Sequence, residues 1–219
     1  MSQAVDLVLP CRDEAPALEL LLPTVPDGMR AIVVDNGSTD GTAAVARRHG
    51  ALVVTESEPG YGAAIAAGLA GATADIVAFA DGDGSFDLAD LRPLIEAVRS
   101  GAADLATGRR RPVHRSVWPW HARLGNALVV AWLRRRIGLP LHDLAPVRVC
   151  RRDALVSLGV QDRRFGYPVE LLQRAVEAGW RFREFEVNYA ARAAGTKSKV
   201  SGSVVGTVRA ARDFRRVIA

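Results

Sequence analysis

Short apolar runs alternate with helix-like segments along the first half of the chain. Four runs predict buried strands, at residues 5–9, 31–34, 52–54 and 76–80, and the first is expected to stop at Pro10. Between them, apolar residues recur at helical spacing over residues 15–22, 42–49 and 62–69. Strands that are apolar along their whole length are typical of a mostly parallel sheet with helices on both faces. We therefore predict an α/β fold.

The alternation is less regular in the second half. The pattern predicts helices at residues 88–98, 121–136, 152–158 and 168–178, and strands at about 104–107, 147–149 and 181–187. Residues 109–120 are rich in Arg, Pro and Trp and are predicted to form an irregular loop. A last amphipathic helix is predicted at residues 204–218, with arginines beside an apolar stripe.

The size and composition of the chain predict one cytoplasmic domain. It has 219 residues, 49% of them hydrophobic, which suffices for one sizeable core and is short for two. No window reaches the roughly 18–20 consecutive apolar residues of a membrane span, and the start of the chain has a strand pattern rather than a signal sequence. Cys11 and Cys150 are far apart, so we predict free thiols and neither a disulfide nor a zinc site.

The charge balance favours anionic partners. The net charge is +5, and all but two of the 29 basic residues are arginine, whose guanidinium group pairs well with phosphate. No basic stripe is interleaved with aromatic residues, so a nucleic-acid partner is not expected.

An acidic residue follows the second predicted strand, where residues 33–42 read VVDNGSTDGT. In open parallel sheets, ligands bind beyond the carboxyl ends of the strands. Asp35 is therefore a candidate to accept hydrogen bonds from a ribose or a base. The alternative is that this segment is only a turn leading into a helix cap.

Two carboxylates one residue apart follow the fourth predicted strand, where residues 79–85 read FADGDGS. Two like charges this close are costly to bury unless a cation or a proton lies between them. Mg²⁺ or Mn²⁺ meets that requirement, since both prefer oxygen ligands and bridge to phosphates. We therefore predict a metal site at Asp81 and Asp83, and a solvated acidic turn is the alternative.

These segments occur in one order along the chain: LPCRDE at 9–14, VVDNGSTDGT at 33–42, GYGAA at 60–64 and DGD at 81–83. Together they resemble the family 2 glycosyltransferases with the GT-A fold, nearest to the dolichyl- and polyprenyl-phosphate sugar synthases. The resemblance covers nearly the whole chain. It implies a single Rossmann-like domain over 1–219, with a nucleotide-sugar-binding half (about 1–110) and an acceptor-binding half (about 111–219). It also implies inverting transfer of a sugar from a UDP- or GDP-linked donor to an acceptor, with polyprenyl phosphate a candidate.

The resemblance also implies roles for individual residues of the first half. It assigns the metal to Asp81 and Asp83, and makes Asp83 essential for catalysis. Asn36 stands where many relatives have Asp, and Ser85 stands where the prenyl-phosphate branch often has Gln, so contacts at both positions are expected to differ. The residues assigned to the donor are Pro10, Arg12, Glu14, Asp35, Asp81 and Arg109.

In the acceptor half, the resemblance makes Asp143 a candidate acid–base residue or acceptor ligand, and Glu170 a second acid–base candidate. The alternative for Glu170 is an exposed carboxylate in the first turn of a helix. Arg148 and Arg152 are assigned to the acceptor's phosphate. A base is needed only if the nucleophile is a hydroxyl, because a lipid phosphate is already an anion. Arg110 and Arg111 are expected to form a solvated basic run.

Residues 188–199 resemble the family's mobile loop that closes over the diphosphate. Arg192 and Lys199 are the residues expected to bind it, with Lys197 in reserve, and a solvated linker is the alternative. The helix predicted at 204–218 either rests on an anionic membrane surface or packs on the core, and we favour the core. We therefore expect at most peripheral contact with the inner face of the membrane. The sequence leaves open whether the protein forms a homodimer.

Two other functions compete with sugar transfer. A sugar-phosphate nucleotidyltransferase normally carries a glycine-rich loop after its first strand, whereas residues 9–14 contain no glycine. A non-catalytic nucleotide-sugar-binding module would keep the fold without turnover. A dinucleotide-binding domain is disfavoured, because no GxGxxG follows the first strand.

Overall fold

Seven strands form one sheet in the computed structural model of the protein, which describes residues 5–193. The order across the sheet is β3-β2-β1-β4-β6-β5-β7, and of these seven strands β6 alone runs antiparallel to its neighbours. The predicted α/β fold with a mostly parallel sheet is therefore confirmed. The strands are β1 (Val5–Cys11), β2 (Met29–Asp35), β3 (Leu52–Thr55), β4 (Ile76–Phe79), β5 (Leu105–Pro112), β6 (Val147–Arg151) and β7 (Phe182–Tyr189).

Helices cover both faces of this sheet. They are α1 (Ala15–Leu21), α2 (Thr42–Arg48), α3 (Tyr61–Gly71), α4 (Leu91–Arg99), α5 (Trp120–Ile137), α6 (Arg152–Ser157) and α7 (Tyr167–Glu177). Helices α1, α2 and α4 pack on one face, and α3, α5, α6 and α7 pack on the other. Because side chains alternate along a strand, Leu7 and Leu9 of β1 enter the first core while Val8 enters the second. Within residues 5–193, no helix combines the length and apolarity needed to cross a bilayer.

Strand β1 continues through Pro10 to Cys11, so the predicted stop at Pro10 was wrong. Successive residues of a strand direct their backbone N–H and C=O groups toward the two neighbouring strands in turn. The oxygen of Val8 accepts from Ala80 N on the β4 side (3.3 Å), and that of Cys11 accepts from Asn36 N on the β2 side (2.9 Å). Pro10 therefore faces the β4 side, beyond the last β1–β4 pair, and its missing N–H removes no ladder hydrogen bond.

The basic segment 109–112 is part of β5, although we predicted a loop from 109 to 120. Strand β7 pairs with β5 over its whole length, from Leu105 opposite Phe182 to Pro112 opposite Tyr189. The partner strand supplies the hydrogen bonds that hold this arginine-rich segment extended. Its sequence lacks the apolar alternation by which a strand is predicted.

The topology gathers six connections at the carboxyl end of the sheet, where the parallel strands end. The segments that follow β1, β2, β3, β4, β5 and β7 all leave there. Since β6 is antiparallel, the loop before it, residues 142–146, lies at the same end. Segments far apart in sequence can therefore form one site. Lys197, Lys199 and the helix predicted at 204–218 lie outside the described residues.

Candidate active site

Backbone and side-chain hydrogen bonds join the loops that follow β1 and β2. The N–H of Asp13 donates to Ser38 Oγ (3.0 Å), and its carboxylate accepts from the N–H of Thr39 (2.8 Å). The N–H of Glu14 donates to Thr42 Oγ1 (2.9 Å). These bonds fix the two loops against each other. The loop after β1, which is predicted to bind the sugar donor, is therefore held in place by the loop after β2.

Asp35 and Asn36 have different partners at the end of β2. Asp35 is partly exposed and accepts the N–H of Ser38 at Oδ1 (2.9 Å). The amide of Asn36 donates to the carbonyl oxygens of Glu56 (3.0 Å) and Glu58 (2.7 Å) and accepts from Gly60 N (3.0 Å). A carboxylate could not donate to the two carbonyls. Asn36 therefore holds the loop before α3, which explains its departure from the aspartate of many relatives.

The Asp81–Asp83 bend lies against the end of β1. A Cβ on Gly82 would come within 2.3 Å of Cys11 Sγ, so only glycine fits between the two acids. Asp83 is buried, and its Oδ1 accepts Ser85 N (2.9 Å). Asp81 makes no hydrogen bond or ion pair within residues 5–193. Burial, together with the neighbouring charge of Asp83, raises the pKa of Asp81 to about 6.

Arg148 is a buried cation at the same end of the sheet. It is 2% exposed, and it donates to Leu144 O (2.6 Å) and to the hydroxyl of Tyr61 (3.3 Å). Its Nε is buried without a hydrogen-bond partner, and no carboxylate of the described residues forms an ion pair with it. The Arg148 charge is nonetheless close enough to lower the pKa of Asp81. An unpaired buried guanidinium of this kind is suited to an anionic ligand.

Asp143 and Arg110 form a closed pair. The carboxylate accepts from the N–H (2.9 Å), Nε (2.9 Å) and Nη2 (2.6 Å) of Arg110, and from Ala145 N (3.2 Å). Burial raises the pKa of Asp143, but the bonds from Arg110 outweigh it and hold that pKa below its ordinary value. Arg110 is therefore not part of a solvated run, contrary to the prediction. Arg111 fits it, since both it and its partner Glu186 are exposed.

The segment after β7 runs along the acidic bend. Ala190 N donates to Ser85 O (2.9 Å), and Ala193 N donates to Asp83 O (3.0 Å). These bonds bring Arg192 Nη1 to 3.0 Å from Asp83 Oδ2 and 3.8 Å from Glu14 Oε1. A cationic group thus already lies against the carboxylate that was predicted to bind a metal.

The remaining donor candidates occupy the same end with different exposure. Pro10 is half-buried at the end of β1, and Glu14 is buried two residues after the exposed Arg12. Arg109 is half-buried in β5, opposite Glu186 of β7. These residues thus lie at the same end of the sheet as Asp83.

Arg152 lies apart from this cluster, and Glu170 is bonded to residues outside it. Because β6 is antiparallel, Arg148 enters at the carboxyl end and Arg152 follows at the opposite end, where its N–H donates to Asp75 O (2.9 Å). This position contradicts the prediction that Arg152 binds the acceptor's phosphate. Glu170 accepts from the N–H of Asp162 (2.6 Å) and from Arg174 Nε (2.7 Å), contacts that tie α7 to the preceding loop.

Four residues near the site had no role in our sequence analysis. The guanidinium carbon of Arg110 lies 4.0 Å from the ring centroid of Trp118 and 5.8 Å from that of Tyr189. Asn126 Oδ1 accepts from Arg110 Nη2 (3.2 Å), and Tyr61 bonds to Arg148. Tyr61 and Tyr189 carried a signal, because they lie within the GYGAA segment and the segment 188–199, respectively.

The cluster therefore combines an acidic pair with cations. Within residues 5–193, no three His, Cys, Asp or Glu side chains form a metal-binding group. The two carboxylates fit a divalent ion whose other ligands come from a bound phosphate group, because no residue of 5–193 pairs with the charge of Asp81. The buried Arg148 can bind a further anion at the same end of the sheet.

Comparison with known families gives a match over most of this region. A model of the family described as Glycosyl transferase family 2 matches residues 6–152. An uncharacterized glycosyltransferase of Mycobacterium bovis is 56% identical over 216 residues, which cover 98% of each chain. The polyprenol monophosphomannose synthase of Mycolicibacterium smegmatis is 30% identical over 223 residues, which cover 92% of this chain and 83% of the synthase.

Solved structures share the fold. The glucosyl-3-phosphoglycerate synthase of Mycobacterium tuberculosis, in complex with Mn²⁺, UDP and phosphoglyceric acid, superimposes with a TM-score of 0.77 at 24% identity. The match covers 99% of this chain and 78% of the synthase. The GT-A fold implied by the sequence resemblance is confirmed.

Proposed function

Because the chain belongs to glycosyl transferase family 2, we propose that it transfers a sugar from a nucleotide-diphosphate sugar to a polyprenyl phosphate, with inversion at the anomeric carbon. The named relatives support this acceptor class. They include the polyprenol monophosphomannose synthase and an undecaprenyl-phosphate mannosyltransferase of Micrococcus luteus, which is 30% identical over 217 residues.

One observation carries the proposal. Asp81 makes no hydrogen bond or ion pair within residues 5–193, and Arg148 is buried without an ion pair to any carboxylate of those residues. Both lie at the same end of the sheet, and the charge of Arg148 is close enough to lower the pKa of Asp81. Each unpaired charge is costly by itself. Two phosphate-bearing substrates would compensate both charges. A donor diphosphate with its metal ion would compensate Asp81, and an acceptor phosphate would compensate Arg148.

For the donor, we propose that Pro10, Arg12, Glu14 and Asp35 surround the nucleoside and that Arg109 faces the diphosphate. Asp81 and Asp83 would hold Mg²⁺ or Mn²⁺, which neutralises charge on the departing nucleoside diphosphate. A solved structure of the same fold contains Mg²⁺ with UDP, which supports a divalent ion of this class. Arg192 would then exchange its contact with Asp83 for the diphosphate. Lys199 stays a prediction for the same role.

For the acceptor, we propose that Arg148 binds the lipid phosphate and orients it for attack. An oxygen of that phosphate forms the new bond to the anomeric carbon while the bond to the nucleoside diphosphate breaks on the opposite face. No proton has to leave this nucleophile, so no general base is needed. The low pKa of Asp143 suits a different role, which is to hold Arg110 beside the acceptor. Glu170 would likewise stabilise α7 rather than act on substrate.

Radiolabelled UDP-glucose and GDP-mannose, each incubated with Mn²⁺ and undecaprenyl phosphate, test this function. We expect label from one donor to enter the organic phase, and EDTA to abolish that transfer. Full transfer in EDTA would refute the role of Asp81 and Asp83. Pyrophosphate released from UTP or GTP and a sugar phosphate would indicate the nucleotidyltransferase alternative. Donor binding by calorimetry without transfer or hydrolysis would indicate a non-catalytic module.

A further inference from the structure

Helix α5 carries an apolar stripe that the rest of residues 5–193 leaves exposed. Trp120, Leu124 and Leu128 follow one another at one-turn intervals and are 75%, 51% and 62% exposed. We call these three residues the α5 stripe. On the opposite side of the helix, Val130 and Leu133 are buried against the core. Large apolar side chains that lie together on a surface mark a site of interaction.

The chain around this stripe carries charge of one sign only. Residues 105–142 include eight arginines and no aspartate or glutamate, and they contain three of the four tryptophans. Arg123, Arg134, Arg135 and Arg136 are exposed on α5 itself. An apolar stripe flanked by arginine and tryptophan is typical of a helix that lies in the interface of an anionic bilayer.

The stripe lies close to the candidate active site. Asn126, on the inner side of α5, accepts from Arg110 Nη2 (3.2 Å) and from the N–H of Leu144 (3.1 Å). Leu144 in turn accepts from the buried Arg148 through its carbonyl oxygen (2.6 Å). Helix α5 therefore carries the stripe on its outer side. Its inner side contacts Arg110 directly and Arg148 through Leu144.

We propose that the α5 stripe and its arginines dock the protein on an anionic lipid bilayer, with the active site beside the membrane surface. Two other occupants fit the charges less well. A second copy facing this surface would oppose arginine with arginine. Residues 194–219 contain two lysines and four arginines against a single aspartate, so their charge also repels this surface. Anionic lipid headgroups complement it.

The test measures flotation of the full chain with vesicles, without donor or acceptor. We expect binding to vesicles of phosphatidylglycerol and phosphatidylcholine, little binding to phosphatidylcholine alone, and weakening in 0.5 M NaCl, which screens charge. The double variant Leu124→Glu/Leu128→Glu should raise the lipid concentration for half-binding about tenfold or more, because two apolar anchors become charged. The matched control is Leu20→Glu/Val156→Glu, since these residues are 69% and 52% exposed on other helices; it should bind as the wild type does.

Three results would overturn the proposal. Equal binding by wild type and the α5 variant would place the lipid contact elsewhere. A fall of several degrees in the Tm of the α5 variant, with the control unchanged, would indicate that another part of the chain covers the stripe. A dimer that the α5 variant alone dissociates, measured by sedimentation without lipid, would identify a second copy as the occupant.

This inference depends on the proposed function only for its purpose, because vesicle binding is read without turnover. A transfer assay adds the functional consequence. The α5 variant should keep activity on a short, water-soluble prenyl phosphate and lose it on undecaprenyl phosphate held in vesicles. A wild type that binds vesicles but transfers no sugar would contradict the proposed function and leave the docking surface intact.

Discussion

Aspartate–arginine ion pairs lie at both ends of the sheet. The carboxyl end differs because it also holds charged groups that form no ion pair within residues 5–193. At the amino end, buried Asp6 accepts from Arg30 Nε (2.8 Å) and Nη2 (2.9 Å) and from the N–H groups of Thr73 (2.6 Å) and Ala74 (2.9 Å). At the carboxyl end, the Asp143–Arg110 pair is closed in the same way, whereas Asp81 and Arg148 are not paired within residues 5–193.

The pKa values separate the paired carboxylates from the unpaired Asp81. Burial raises the pKa of Asp6, but the bonds from Arg30 and the backbone outweigh it, and the pKa is lowered overall. The pKa of Asp81 is raised to about 6, because burial and Asp83 act in the same direction. The closed charges stabilise the fold. The open charges cost stability and are available to a ligand.

The largest expected effect comes from Asp83→Asn. We expect transfer to fall about 10³-fold or more, because the carboxylate that would hold the metal becomes a neutral amide. The Tm should change little, because the substitution removes both the repulsion from Asp81 and the ion pair with Arg192, and these two effects oppose each other. Rates with Mn²⁺ and a thermal melt measure both. Asp6→Asn is the matched control, with the same chemical change at the amino end, and should leave transfer unchanged. Equal loss of activity in both variants would contradict the division between the two ends.

Arg148→Met should lower kcat/KM about 10- to 100-fold, the worth of a hydrogen bond to a charged group. Its Tm should stay level or rise, because a buried unpaired cation is removed. Arg148→Lys should recover part of the activity. As a control, Arg30→Met removes a paired arginine, and it should lower the Tm and keep the activity. If Arg148→Met unfolds the protein while Arg148→Lys stays folded and fully active, the residue only stabilises the fold.

Asp6→Asn should cost about 2 kcal/mol of unfolding free energy, which is less than the roughly 3–5 kcal/mol expected for a fully buried broken pair. The expected loss of unfolding free energy is smaller because the Arg30 side chain is 45% exposed and water can solvate it. Because the folded pKa of Asp6 is lowered, its stabilisation is complete above the unfolded pKa of about 3.9 and is lost as the pH falls through the folded value. In denaturant melts from pH 7 to pH 3, the difference in stability between wild type and variant should therefore shrink as the pH falls below about 3.9. A constant difference would rule out the ionised pair as its cause.

The smallest effect is expected at Asp104, whose carboxylate accepts from Arg181 Nε (2.9 Å) and Nη2 (2.9 Å) at the amino end. The Arg181 side chain is 61% exposed, so Asp104→Asn should cost less than about 1 kcal/mol. Urea denaturation at low and high salt measures this contribution. A loss as large as that of Asp6→Asn would mean that burial does not set the strength of these pairs.

Local sequence was sufficient for the strands that carry the acidic residues. Asp35 and the Asp81–Asp83 pair each follow an apolar run, and parallel strands deliver such residues to one end of a sheet whatever the rest of the chain does. The arginines could not be assigned in this way. Arg148 lies on β6 and Arg152 begins α6 directly after that strand, and only the antiparallel direction of β6 decided which of the two reaches the site.

The sequence by itself determined the α/β alternation, the acidic bend and the family, because each is written in a short contiguous segment. Tertiary structure alone decided that Arg110 meets Asp143, 33 residues away, and that Arg192 meets Asp83. It also decided that Asn36 holds a neighbouring loop and that the α5 stripe is exposed on the described part of the chain. The physical reason is that pairing and burial depend on which segments the sheet order brings together, and that order depends on contacts distributed over the whole fold.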